Sequence, residues 1–300
     1  MFSRRHPFLF FVLVLTGMVF SFMIIMSSLF AVSTRKTRFD LGEKIGVVEI
    51  NGVIRSSRTV LENLKKFRET PSIKAIVVRI NSPGGAVGPS QEIYREIVKT
   101  REAKVVVASM GSIAASGGYY IASAADTVMA NPGTLTGSIG VIMSYTNLEA
   151  LFKKIGLTPV VIKSGEYKDM ASPVNDLKPD EKVILQAFTD DIHQQFITDV
   201  AQGRNMTVED VAALADGRIY TGKKARELGL VDKFGNLADA VELAGKKAGV
   251  KGKVSAVYPE KPSKFSILEL LMGRSAKELV NDLPLNYEGV AGGYLYRPDM

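Results

Sequence analysis

Ser116 lies in the run Gly111-Ser-Ile-Ala-Ala-Ser-Gly-Gly-Tyr-Tyr120, a hydroxyl with Ala114 and Ala115 before it and Gly117 and Gly118 after it. Side chains this small leave space beside the hydroxyl for a bound molecule, and the glycine pair lets the backbone turn sharply into a following helix. Amides at a helix start favour developing negative charge. Close helix packing selects the same small residues, so composition alone allows either reading. Lys168 follows 52 positions later, in Ser164-Gly-Glu-Tyr-Lys-Asp169. A serine hydroxyl is a weak nucleophile until a base removes its proton, and a lysine serves as that base where burial keeps its amine neutral. The pair would give a peptidase its nucleophile and base without histidine; the plain alternative for Lys168 is a solvated side chain. Glu166 and Asp169 must then face away, because their charge would hold the amine protonated.

Two further turns carry usable groups. In Ile80-Asn-Ser-Pro-Gly-Gly-Ala-Val87, Pro83 fixes φ while Gly84 and Gly85 open backbone geometry closed to other residues. Amides exposed on such a turn can bind the oxyanion of a tetrahedral intermediate, an effect of about 3 to 4 kcal/mol per donor, although many Pro-Gly turns are only connections. Asn131-Pro-Gly-Thr-Leu-Thr-Gly-Ser-Ile-Gly140 offers hydroxyls at Thr134, Thr136 and Ser138, any of which could hold a lysine amine or simply cap the turn. A Ser-His-Asp triad through His193 with Asp190 or Asp191 finds no supporting context, and His193 reads as solvated or capping. The absence of cysteine removes thiol catalysis and the commonest zinc sites, and with His6 and His193 the only histidines no metal or other cofactor is expected.

Elements that could position these groups alternate along the chain. Residues 44–50, 75–80, 105–109, 126–130, 139–143 and 159–163 read as short β-branched strands. Helical patterns fall at 61–69, 90–100, from about 116, and at 148–154, 179–203, 208–215 and 236–247. Thr221 is a plausible N-cap and Gly229 a helix stop. This order predicts an α/β architecture with a parallel sheet. Phe8 to Val32 is free of charge and, at about 37 Å as a helix, long enough to cross a bilayer. An uncleaved membrane anchor over residues 1–38 is therefore expected, with contact to the lipid through residues 8–32. A cleavable signal peptide ending near Ala31-Val-Ser33 is the rival reading. Five basic side chains and no acid precede residue 40, leaving 33 basic against 31 acidic residues after it. The basic balance thus belongs to the membrane flanks, and no nucleic-acid partner is implied. Positive charge on both flanks leaves orientation balanced. The catalytic domain is placed at 39–250, and residues 251–300, rich in Lys, Pro, Ser and Gly, read as a peripheral or partly disordered extension.

Taken together, Asn81-Ser-Pro-Gly-Gly85, Met110-Gly-Ser-Ile-Ala-Ala-Ser-Gly-Gly-Tyr-Tyr-Ile121, Thr136-Gly-Ser-Ile-Gly-Val141 and Lys163-Ser-Gly-Glu-Tyr-Lys-Asp169 resemble the four signature segments of the signal peptide peptidase SppA family, in order and at fitting spacing. The resemblance covers about residues 44 to 245. It implies a ClpP/crotonase-like fold of stacked ββα units and a serine endopeptidase with Ser116 as nucleophile and Lys168 as general base. It further implies Ser138 hydrogen-bonded to that lysine, and oxyanion amides around Gly84, Gly85 and Gly117. Also implied are signal peptides and other membrane-derived peptides as substrates, a homo-oligomeric ring whose neighbouring subunits complete each site, and an extracytoplasmic catalytic domain with the N-terminus inside. Whether one chain or two supply Ser116 and Lys168 stays open at this level. A non-hydrolytic ring scaffold is a second reading, and acyl-CoA chemistry on a crotonase-type fold, which leaves the anchor and Lys168 without a role, is a third.

Overall fold

The computed structural model describes residues 6–35, 43–252, 254–259 and 293–295. The chain divides into two compact units between Gly42 and Glu43. Among its described residues the first contains one helix, α1 (Pro7–Arg35). Its segment Pro7–Ser28 has a mean hydropathy of 2.7 over 22 residues, and at about 33 Å it is long enough to span a hydrocarbon core. Residues 36–38 of the expected anchor lie outside the described residues.

The second unit is built on a parallel sheet. Strand β1 (Lys44–Asn51) leads through α2 (Arg58–Glu69) to β2 (Ile73–Ser82), then by β3 (Gly84–Ala86) and α3 (Val87–Arg101) to β4 (Val105–Ala115). Val47, Val77 and Val107 stand in one register across β1, β2 and β4. Each of these strands is buried on both faces, so the apolar residues run on without polar alternation, as a helix-covered parallel sheet requires. Val48, Ile50, Ile76, Val78, Ile80, Val106 and Met110 join the larger core. Ile45, Val47, Ala75, Val77 and Val107 face the other way, onto Ala240, Val241 and Ala244. Those three belong to α9 (Leu237–Lys247), a helix opened by Asn236, whose Oδ1 accepts from Ala238 and Asp239 N–H.

β4 serves two branches. Residues 107–109 pair with β5 (Thr127–Ala130), and 113–115 pair with β6 (Leu135–Gly137). β6 in turn takes β7 (Ile219–Thr221) antiparallel, and β5 takes β8 (Lys233–Phe234). The remaining helices are α4 (Gly117–Ser123), α5 (Glu149–Lys154), α6 (Pro179–Arg204), α7 (Val208–Ala212) and α8 (Gly222–Glu227). Thr221 does cap α8, accepting from Lys224 N–H, and Gly229 takes φ +78°.

Three features differ from the sequence reading. The strand expected at 139–143 lies earlier, at 135–137. Ser138 turns with φ 51° and Gly140 abuts Gly217, so the apolar run Ile139 to Met143 leaves the sheet once Ile139 is buried. Pro159–Lys163 forms no strand and has no ladder partner among the described residues, and Val160 and Ile162 are 83% and 96% exposed. In the extension after residue 250, β9 (Ser255–Val257) adds to the open edge of β1, and β10 (Gly293–Leu295) pairs antiparallel with β3. The other residues beyond 259 lie outside the described set.

Candidate active site

The site begins with a bulge. β2 and β4 run in register to Ile80 and Met110, but the next pair is Ser82 with Ala114, so β4 carries two extra residues there. The amides freed by the bulge, Ser112 and Ile113 N–H, both donate to Asn81 Oδ1 at 3.1 and 3.3 Å. Asn81 thereby sets where β4 ends and how its last residues point. The sequence reading placed Asn81 in a turn and missed this clamp; an amide side chain beside a glycine-rich strand was its only signal.

β4 leads directly into Ser116, which holds φ 52° and ψ −120°, a backbone conformation outside the left-handed helical well that L-residues rarely adopt. Its N–H donates to Gly137 C=O at 2.9 Å and its C=O accepts from Tyr120 N–H at 2.8 Å, so the strained turn is fixed from both sides. Ser116 is 1% exposed, and its hydroxyl makes no hydrogen bond among the described residues. Gly117 opens α4, where its N–H has no acceptor within the helix. A Cβ on Gly118 would lie 2.8 Å from the Ser82 carbonyl oxygen, so only glycine lets α4 seat against the end of β2.

Of the three hydroxyls in the next turn, two are already committed. Thr134 Oγ1 donates to Gly111 C=O at 2.8 Å and Thr136 Oγ1 to Ala114 C=O at 2.7 Å, pinning β6 to β4. Ser138, with φ 51°, makes no side-chain hydrogen bond among the described residues. Because Ala115 and Gly137 are in parallel register, Ser116 and Ser138 leave their strands side by side.

At β3, Gly84 has φ 105° and its N–H donates to Ser82 Oγ at 3.1 Å. Gly84 C=O and Ala86 N–H bond to Ile54 at 2.9 and 2.8 Å. A Cβ on Gly85 would fall onto the Ile54 carbonyl oxygen. Gly84 and Gly85 thus follow closely on the end of β2, and Gly117 opens the helix whose Gly118 packs against it.

Lys168 is exposed in a run of turns and shares no hydrogen bond with Ser116 or Ser138 among the described residues. Its acidic neighbours are accounted for. Asp169 Oδ1 accepts from Lys163 Nζ at 2.5 Å, and that hydrogen bond holds its carboxyl below the usual range; Glu166 is exposed. His193 departs from the solvated role expected of it. Its Nε2 is buried without a hydrogen bond among the described residues, and Asp190 and Asp191 accept instead from Gln186 and Gln195.

A buried cluster that the sequence reading did not find holds α4 in place. Tyr120 Oη donates to Asp199 of α6, Tyr94 Oη donates to the Asp199 carbonyl at 2.7 Å, and Arg95 reaches the same carboxylate at 2.8 Å. The Tyr120 ring lies 4.9 Å from both Tyr94 and Phe196. Burial, then the nearby Asp199 charge, pushes the Tyr94 hydroxyl up to about 12, which keeps it a donor.

A buried serine on a strained strand-to-helix turn, set in a helix-covered parallel sheet, is the frame of a mixed α/β hydrolase, and the Clp protease model matches residues 47–135. The model for peptidase family S49 matches residues 99–251. The chain belongs to this family and is a serine protease. A candidate protease of Synechocystis sp. is 48% identical over 238 residues, covering 78% of this chain and 83% of its own. The chloroplastic serine protease SPPA of Arabidopsis thaliana is 37% identical over 243 residues, 77% of this chain and 36% of the relative. Protease 4 of Salmonella typhi is 35% identical over 247 residues, 79% and 39% respectively. The chain therefore spans well under half the length of the last two.

Proposed function

We propose that the chain is a membrane-anchored endopeptidase that uses Ser116 and Lys168 as a dyad to degrade signal peptides left in the membrane after release from preproteins. The observation that carries the reading is the strained, buried Ser116, whose hydroxyl, like that of neighbouring Ser138, makes no hydrogen bond among the described residues. In the reaction the neutral Lys168 amine takes the Oγ proton as Oγ attacks the scissile carbonyl. The Gly117 N–H receives the oxyanion, joined by Gly85 N–H or by Gly84 N–H once that exchanges Ser82 Oγ for substrate oxygen. Lys168 then protonates the leaving amine, and water, deprotonated by the same base, releases the acyl group. Ser138 Oγ would accept from the Lys168 ammonium and aim it.

Lys168 reaches Ser116 of a neighbouring copy in this reading. Two facts support that arrangement. The lysine is exposed in its own chain, and the arm leading to it displays Leu157, Val160, Val161 and Ile162 to solvent in a segment without a ladder partner among the described residues. A second copy covering the arm would bury those residues and desolvate the lysine together. The apolar α1 supplies the anchor, and signal-peptide substrates would bring the catalytic unit to the extracytoplasmic side. Co-expression of Ser116→Ala and Lys168→Ala chains tests the arrangement: mixed assemblies should regain signal-peptide hydrolysis that neither variant has alone. Mixed assemblies as inactive as the single variants would contradict sharing of the dyad between copies.

A further inference from the structure

β9, β1, β2, β4 and β5 all run parallel, so their N-terminal ends lie along one rim of the sheet. Lysine is repeated along that rim. Lys44 opens β1, Lys74 is the second residue of β2 and Lys104 directly precedes β4, and the residues after the last two, Ala75 and Val105, pair in register. A strand spacing of about 4.8 Å sets these like charges side by side. Burial, and then the Lys74 charge, hold the Lys104 amine below its ordinary range. α2, α3 and α9 return to the same rim and bring Lys66, Lys99 and Lys246 in their last turns.

A helix C-terminus gains from a nearby cation, which accounts for the lysines on α2, α3 and α9, but a strand carries little net dipole and calls for none. Lys104 already serves the fold, donating to the Phe67 and Thr70 carbonyls at 2.7 Å, and Lys74 meets Glu43 at 3.4 Å. Lys44, Lys99 and Lys246 have no ion pair or side-chain hydrogen bond among the described residues. The chain reaches this rim from α1. Residues 36–43 alone separate Arg35, the last residue of α1, from Lys44, a link of at most about 32 Å when extended. Arg35, Lys36 and Arg38 add positive charge along it.

We propose that this lysine rim rests on the surface of an anionic bilayer, its ammonium groups against lipid phosphates, so that β4 runs away from the lipid toward Ser116. Only the α1 anchor of the reading above is needed for this, not the dyad. Basic groups within about one Debye length of acidic lipids, about 8 to 10 Å, add their attractions. A weak attraction suffices here, because the short link keeps the rim at high local concentration beside any bilayer that α1 crosses.

The sequence contains no cysteine, so a nitroxide on one introduced cysteine reports from one position. The full chain is labelled at Ser72→Cys, beside the rim, where the Ser72 carbonyl accepts from Lys44 N–H, or at Arg55→Cys, beyond the opposite end of β1. Each is reconstituted in phosphatidylcholine vesicles with and without about 30% phosphatidylglycerol, and access of a water-soluble nickel chelate to the nitroxide is read by electron paramagnetic resonance. The Ser72→Cys label should be about threefold less accessible in the anionic vesicles, and the Arg55→Cys label equally accessible in both. The protection should vanish at about 0.5 M salt and in Lys44→Gln/Lys74→Gln/Lys246→Gln, and should persist in Lys44→Arg/Lys74→Arg/Lys246→Arg. Equal accessibility of the Ser72→Cys label in the two lipids would overturn docking, and low accessibility in both would assign the rim to a neighbouring copy instead. A chain that separates from both kinds of vesicle would overturn the anchor and the docking with it, whereas insertion without lipid-dependent protection overturns docking alone.

Discussion

Ser116 and Ser138 leave adjacent parallel strands at the same level, each with φ near +50° and each with a hydroxyl that makes no hydrogen bond among the described residues. The two strained turns support each other, since Ser116 N–H donates to the carbonyl of Gly137, the residue before Ser138. One geometry thus places the proposed nucleophile and its proposed positioning group at the ends of neighbouring strands.

Ser138 and Thr136 should separate cleanly on substitution. Ser138→Ala should lower kcat by about tenfold or more while leaving the melting temperature nearly unchanged, because its hydroxyl supports no other group among the described residues. Thr136→Val removes the donor to the buried Ala114 carbonyl and should cost about 1 to 3 kcal/mol of stability. Thermal unfolding paired with steady-state kinetics on both variants checks this; a Ser138→Ala enzyme of full activity would remove the positioning role.

Asn81 predicts a graded series. Asn81→Leu leaves the Ser112 and Ser112-adjacent Ile113 amides without an acceptor and should destabilise by about 1 to 3 kcal/mol, with loss of activity as the end of β4 shifts. Asn81→Asp keeps the acceptor oxygen and should retain more of both. Urea unfolding of the two variants gives the comparison, and equal losses would mean that the oxygen is not what matters.

Gly118→Ala should impair the enzyme more than its single methyl group suggests. The added Cβ meets a backbone carbonyl of β2, which cannot swing away as a side-chain end could. The expected outcome is a fall in melting temperature together with slower acylation of Ser116, measured on the purified variant.

Acid should weaken the fold partly through Asp232. Burial raises the cost of its charge, but Arg204 at 2.5 Å and the Val128 N–H at 2.7 Å more than offset this and hold its carboxyl below the ordinary range. A depressed folded-state value means that this stabilisation is complete above the ordinary carboxylate range and is lost as pH falls through the folded-state value. Urea midpoints followed from pH 7 downward should therefore fall more steeply for the native chain than for Asp232→Asn, which should start lower and vary less. Parallel curves would contradict the assignment.

The sequence shows the parts of this site whose chemistry is local. Ser116 stands out because small residues crowd it, and β1, β2 and β4 because β-branched runs buried on both faces need no alternation. The end of β6 is misread because Ile139 to Met143 has strand composition, yet only Ile139 is buried before Ser138 and Gly140 have turned the chain. β7 and β10, three residues each, are too short for any periodicity to register. The tie of Tyr120 to Asp199 spans 79 positions and the Asn81 clamp spans 31, so neither leaves a local pattern. Lys168 is legible by motif, whereas its exposure within a single chain is a property only the fold reveals.

The central claim is that Lys168 activates Ser116. Mass spectrometry of Ser116 after treatment with a serine-reactive fluorophosphonate, in the assembled native chain and in Lys168→Ala, tests it most directly. The native chain should be modified at Ser116 at a rate that rises between about pH 6 and about pH 9, and Lys168→Ala should be modified at least about a hundredfold more slowly. Equal modification of Ser116 in the two proteins, or none in the native chain, would contradict the dyad.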